Sequence, residues 1–435
     1  MNIGLDDRPP WPALLLYGLQ WWVVTLPCVV VSGAVVAGLH YADWADRVWY
    51  LQKLFAASGL ISLAQVTLGH RLPLVIGPAT VLMVGLVASQ GAPIGALYSA
   101  MALGGALMAI MGFANRLAAL RRFFTPRIVA VILVLIAFTL SPVIIGLILG
   151  ESRPGPSLAL ALILILALVP LNEALKGSLK SLTVPLGLVV GTIAYRLWLG
   201  APAEPIIATA PVADPARSLF LADPALQAGP ILAFIFCFLA LTVNELGSVE
   251  AVGRMISAPG MDGRVRRGVG VTGLGSVLSG LLGVIGPVDF SLSAGLIAAT
   301  KCAARLTFIP AGLALLACAF APGFIALLVA IPKPIMGAVL LYSMVSQLAG
   351  GLSMLVSDRA IANYAQGVTV ALPLLVGLLI AFAPPHAFQP FPAILRPIIA
   401  NGFVMGAILV VLLEHVILRP SRPPADSPGP GPGEK

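Results

Sequence analysis

Long apolar runs alternate with short polar or Pro/Gly-rich breaks along the whole chain. A helix crosses the ~30 Å hydrocarbon core of a bilayer with about 20 apolar residues, so runs such as 127–150 and 397–418 are long enough to span it. Reading each run against its breaks predicts about fourteen spans, starting near residues 13, 52, 72, 92, 126, 157, 181, 229, 269, 287, 306, 326, 368 and 393. The polar stretch at 200–228 is expected to connect two units, 13–199 and 229–418. A leader at 1–12 precedes them, and the tail at 419–435 is too rich in Pro and Gly to pack. The first apolar run follows an acidic, Pro-rich leader with no small-residue cleavage site after it, so it is read as a retained span.

A short repeat gives this string of spans an internal order. Val75-Ile76-Gly77-Pro78 recurs as Val284-Ile285-Gly286-Pro287, an offset of 209 residues. The copies fall in the third and tenth predicted spans, and an odd interval of seven spans inverts the second copy relative to the first. The expected fold is therefore an all-α polytopic membrane protein of about fourteen spans in seven-plus-seven inverted repeats. Proline disfavours helix at the residue before it and suits the first position of a helix, so spans three and ten should each be extended first and helical second. Non-helical backbone at membrane depth is tolerated only where protein or a water-filled cavity satisfies it, and paired breaks of this kind point to a transporter's binding site.

Composition narrows the class. Hydrophobic residues make up 59% of the chain and charged residues 10%, far from the composition of a soluble domain. The net charge of +8 does not indicate nucleic acid, because the basic residues are scattered through short loops without aromatic interleaving. With a cytoplasmic N-terminus, most of the 25 Lys and Arg fall in cytoplasmic loops, which predicts an inner-membrane protein with both termini inside. Cys28, Cys237, Cys302 and Cys318 lie in apolar stretches without paired spacing, and the four His show no ligand spacing, so neither disulfides nor a metal is expected. No nucleophile-base constellation or phosphate loop is present, which argues against an enzyme and against a cofactor.

Three segments carry a resemblance over nearly the whole chain: GLDDRPPWPALLLYGLQWW in the leader and first span, QVTLGHRLPLVIGPA at 65–79, and IPKPIMGAVLL at 331–341. Together they are similar to the nucleobase-ascorbate transporters, the xanthine/uracil permease or nucleobase:cation symporter-2 family. The resemblance implies a core domain from spans one to four and eight to eleven, a gate domain from the rest, and a homodimer with elevator-like motion. It further implies a nucleobase-like substrate and a proton or sodium ion as coupling partner.

The departures from the family lie at the substrate positions. Aligned on Gly247, the eighth-span Glu of the family becomes Asn244 and its Asp becomes Ser248; Glu245 is displaced by one residue, about 100° around a helix. The tenth-span signature reads Leu292, Ser293, Ala294 and Gly295, and the first-span Gln-His pair reads Gln20-Trp21. The family's carboxylates are thus absent where they are expected.

The candidate site follows from the breaks and the resemblance together: Gln20, Trp21, Ala79, Thr80, Asn244, Glu245, Ser248, Asp289, Phe290, Ser291 and Leu292. Half-helices starting at Pro78 and Pro287 would aim their positive ends at the centre, favouring an anionic or acceptor-rich ligand. Thr80 and Asp289 correspond under the repeat, each at the third helical position, where Asp289 has two compatible roles as helix cap and cavity group. The Asn244 amide offers a donor and an acceptor to a nucleobase edge, and Phe290 a stacking face; ordinary packing accounts for either residue as well. The expected function is a secondary transporter of a nucleobase-like heterocycle, with an anion carrier on the same fold and a non-transporting receptor or scaffold as alternatives.

Overall fold

The computed structural model describes residues 3–89, 91–117, 120, 123–150, 153–200, 218–290, 293–357, 360–392 and 395–418. Most of the expected connector, the tail and two candidate site residues, Ser291 and Leu292, lie outside the described residues.

The first half runs α1 (Trp11–His40), α2 (Trp44–Thr67), β1 (Val75–Pro78), α3 (Thr80–Ala88), α4 (Ile94–Phe113), α5 (Pro126–Leu149), α6 (Pro154–Ala174) and α7 (Thr183–Leu199). The second runs α8 (Ala228–Met255), α9 (Met261–Leu282), β2 (Pro287–Phe290), α10 (Ser293–Thr300), α11 (Phe308–Ala319), α12 (Pro322–Val329), α13 (Lys333–Ser357), α14 (Tyr364–Phe382) and α15 (Gly402–Leu412). Among the described residues, seven helices are long and apolar enough to cross a membrane: α1, α4, α5, α6, α8, α13 and α14. The α11–α12 segment makes an eighth crossing if taken as one span, bent by 86° at its break.

Both Gly-Pro breaks are extended and then helical. β1 and β2 pair antiparallel, with Val75 opposite Phe290, Ile76 opposite Asp289, Gly77 opposite Val288 and Pro78 opposite Pro287. Each strand satisfies backbone groups of the other that lipid would leave bare. The Ala79 N–H adds a further bond of 2.9 Å to the Gly286 carbonyl. The all-helical expectation is amended to that extent.

The helices sort into two packing groups. In the first, α2 packs on α1, α9 and α11, while α8 packs on α3, α4 and α9. In the second, α5 packs on α6, α13, α14 and α15, and α7 on α6. The tightest seam joins α4 to α9: a Cβ on Gly112 would stand 2.6 Å from the Gly270 nitrogen, and one on Gly105 2.8 Å from the Gly273 carbonyl oxygen. Backbones approach this closely only where side chains are absent, the usual way to bind helices in lipid, where no hydrophobic force holds them together.

Several boundaries differ from the sequence reading for local reasons. α2 starts at Trp44, not near 52, because the Asp43 carboxylate caps it by accepting from the Ala45 and Asp46 N–H groups. Residues 322–329 form the separate short helix α12, so the following long helix starts at Lys333. The last helix starts at Gly402, where Asn401 accepts from the Val404 N–H, instead of near 393. In the tenth span, Pro287 opens a strand and not a helix, so Asp289 is a strand residue and α10 begins at Ser293.

Candidate functional site

A cavity of about 780 Å³ lies where the two packing groups face each other. Its first wall is built on α1, from Val24, Pro27, Cys28, Val31 and Ser32, joined by Thr80, Asn244, Phe290 and Leu296. The opposite wall is α13, from Val339 to Gly350, and the remaining side is closed by Leu133, Asn172, Lys180, Thr183 and Val184. Its lining mixes apolar faces with a few amide and hydroxyl groups, the usual make-up of a small-molecule site.

Thr80, at the start of α3, and Leu296, within α10, both line this cavity. Thr80 is the first residue of α3, and its Oγ1 stands 3.5 Å from Gln347 Oε1 across the space. Ala79 is fully buried behind it and serves the ladder.

One residue of helical pitch separates the roles of Asn244 and Glu245. Asn244 faces the cavity, half-buried, and its side chain makes no hydrogen bond among the described residues. Glu245, about 100° further round, is fully buried and faces α9 and β2. Its Oε1 accepts from Thr272 Oγ1 at 2.5 Å and its Oε2 from the Asp289 N–H at 2.9 Å. Ser248 is buried one turn beyond Asn244 and does not reach the cavity.

The strand alternation of β2 divides the next pair. Phe290 lines the cavity, its ring against Gly77, while Asp289 on the other face of the strand is fully buried and lies outside the cavity lining. Asp289 is thus neither at a third helical position nor a cavity group. Its Oδ2 stands 3.2 Å from His70 Nε2.

Gln20 and Trp21 also fall outside the cavity. Trp21 is buried, donates from Nε1 to Thr307 Oγ1 at 3.1 Å and packs on Phe308 at 5.3 Å between ring centroids. The cavity residues of α1 begin one turn further along, at Val24. Sequence reasoning missed these, and it missed Gln347, a polar residue within a long apolar span, for which that isolation was the available signal. His70, in the link between α2 and β1, is fully buried against Asp289. Among the described residues, no group of three or more His, Cys, Asp or Glu side chains has metal-binding geometry.

Comparison with known proteins points one way. The Xan_ur_permease model, described as a permease family, matches residues 12–386. The uric acid permease PucJ of Bacillus subtilis is 26% identical over 374 residues, covering 82% of this chain and 81% of that one. A nucleobase transporter of Paenibacillus larvae is 25% identical over 402 residues, covering 88% and 91%. Among solved structures, the murine Slc26a9 anion transporter in its inward-facing state superposes with a TM-score of 0.63 at 13% identity, over 94% of this chain and 69% of that one. This last likeness concerns the fold alone.

Proposed function

We infer the function from one premise: the chain belongs to the Xan_ur_permease family, and is therefore a multi-pass membrane transporter of the nucleobase and purine permease kind. Its substrate is a planar nucleobase-like heterocycle, held in the cavity between Phe290, Asn244 and Thr80 on one side and Gln347 on the other. The observation that carries this reading is Asn244. A half-buried amide with no hydrogen-bond partner among the described residues, lining the same cavity as the Phe290 ring, offers a donor and an acceptor to a base edge without carrying charge.

Transport proceeds by alternating access, with the group built on α1–α4 and α8–α11 as the substrate-carrying core and the group built on α5–α7 and α13–α15 as the gate. The packing of the helices into these two groups, with the cavity between them, supports this division. About fourteen spans result when α2, α7, α9 and α15, the two strand-helix segments and the bent α11–α12 pair join the seven long apolar helices. Inverted repeats are supported by the register: Pro78 lies opposite Pro287, its own counterpart under the 209-residue offset. Both termini lie on the cytoplasmic side of an inner membrane, and the molecule works as a homodimer.

A thermal-shift screen of purified protein with nucleobases, oxidised purines and small anions tests the substrate. A ligand that binds only the folded state at 100 times its Kd stabilises it by about 2.7 kcal/mol. Stabilisation by an oxopurine or pyrimidine base, followed by its uptake into proteoliposomes, is the expected result. Stabilisation by bicarbonate or sulfate alone would overturn the nucleobase assignment.

A further inference from the structure

Behind the ladder, away from the cavity, Glu245, Asp289 and His70 lie together and are all sealed from solvent. They come from three elements: α8, β2 and the link between α2 and β1. The imidazole is fixed in one orientation. Its backbone N–H donates to Gln65 Oε1 at 3.2 Å, and Nδ1 accepts the main-chain N–H of Leu72 at 2.9 Å. With Nδ1 an acceptor, the ring proton of a neutral imidazole sits on Nε2, facing Asp289 Oδ2 at 3.2 Å but off the line of a hydrogen bond.

Glu245 is served by two donors, Thr272 and the Asp289 main chain; the carboxyl of Asp289 is not served at all. Both of its oxygens are buried without a hydrogen-bond partner among the described residues, while the Asp289 main-chain N–H, 2.9 Å from Glu245 Oε2, sets the two residues side by side. One further charged group faces the cluster. Arg264 sits on the far side of His70 and donates to the His70 and Arg71 carbonyls at 3.0 and 2.9 Å. Buried acceptors without donors are costly, and two neighbouring carboxylates in a dry site repel each other, yet one hydrogen placed between them answers both.

We propose that Glu245 and Asp289 form, with His70, an occluded proton-binding site on the face of β2 opposite the substrate cavity, in which the two carboxyl groups share one proton. The proton is taken from water and returned to it, and no other bond changes. The site stands on its own geometry; its use in transport rests on the permease reading above. That use follows from the strand. Asp289 and Phe290 are adjacent on opposite faces of β2, so a proton gained or lost behind the ladder acts on the strand that carries the cavity's aromatic wall.

Infrared difference spectroscopy of the purified full-length protein tests the site without any ligand. The expected signal is the carbonyl stretch of a protonated carboxyl group, shifted in heavy water and lost on alkaline titration. It should vanish in both Glu245→Gln and Asp289→Asn, each checked for folding by its melting curve. If those variants fail to fold, Thr272→Val and His70→Gln give the same answer: removing a donor to Glu245 should move the band, and exchanging the imidazole for an amide should move the pH at which it disappears. A wild-type protein without the band at any pH at which it stays folded, or a band unmoved by all the folded variants, would overturn the proposal. In proteoliposomes the same protein should take up nucleobase with a proton, and lose the pH dependence of uptake in Asp289→Asn. A protein that keeps the band but transports no nucleobase would remove the permease reading and leave the proton site standing.

Discussion

The ring of Phe290 lies so close to Gly77 across the ladder that a Cβ on that glycine would stand 2.9 Å from the ring edge and 3.4 Å from Cys28. The absent side chain thus makes room for an aromatic wall. The backbone at Gly77 does not have a positive φ, so the requirement is one of space and not of conformation.

Gly77→Ala should therefore push the Phe290 ring into the cavity. Overpacking of this kind costs about 1–3 kcal/mol. The expected outcome is a ligand affinity reduced by about tenfold or more, measured by thermal shift or direct binding, with protein that still inserts. Unchanged affinity would mean that Phe290 is not part of the substrate site.

Asn244→Ala should separate binding from stability. Because the amide has no protein partner among the described residues, its removal leaves nothing buried and unsatisfied. The melting temperature without ligand should stay near the wild-type value, while affinity for a nucleobase falls by roughly tenfold, the worth of a hydrogen bond or slightly more. An equal loss in both measurements would make Asn244 a packing residue.

Trp21→Phe should do the reverse. The indole donates to Thr307 and packs on Phe308, away from the cavity, so the variant loses a buried hydrogen bond worth about 1 kcal/mol. Lower thermal stability with ligand affinity within twofold of wild type is expected. A selective loss of affinity would restore the first-span pair to the substrate site.

Topology is open to labelling. With Ser427→Cys in the tail, a membrane-impermeant thiol reagent should modify the protein in inverted vesicles but not in intact cells, as the bias of basic residues toward the cytoplasm requires. Labelling in intact cells would reverse the orientation of the whole chain.

Much of this arrangement is legible in the sequence, because it depends on local chemistry. Each Gly-Pro interrupts an apolar run, and each run is extended first and helical afterwards, the strand ending at Pro78 in the first copy and starting at Pro287 in the second. The one-residue shift from Asn244 to Glu245 translates through helical pitch into two separate environments, an open one and a sealed one. What sequence could not convey is set by contacts distant along the chain. Asp289 turns away from the cavity because the ladder with residues 75–78 extends β2 through Phe290, and a strand reverses side-chain direction where a helix would not. Gln20 and Trp21 miss the site because the depth of the ladder along α1 is fixed by tertiary packing, which puts Val24 and Cys28 at the cavity instead. His70 follows a helix end and has every local mark of a loop residue; only the fold buries it.

The pairing of β1 with β2 also bears on how the chain is made. Pro287 is synthesised 209 residues after its counterpart Pro78, an interval of roughly 10–40 s at ordinary ribosomal rates. During that time the first half, already in the insertion machinery, carries a four-residue strand with no partner for its backbone. The centre of the protein is consequently among the last parts to close, and a ribosome stalled between the halves leaves a membrane segment whose strand backbone has no partner.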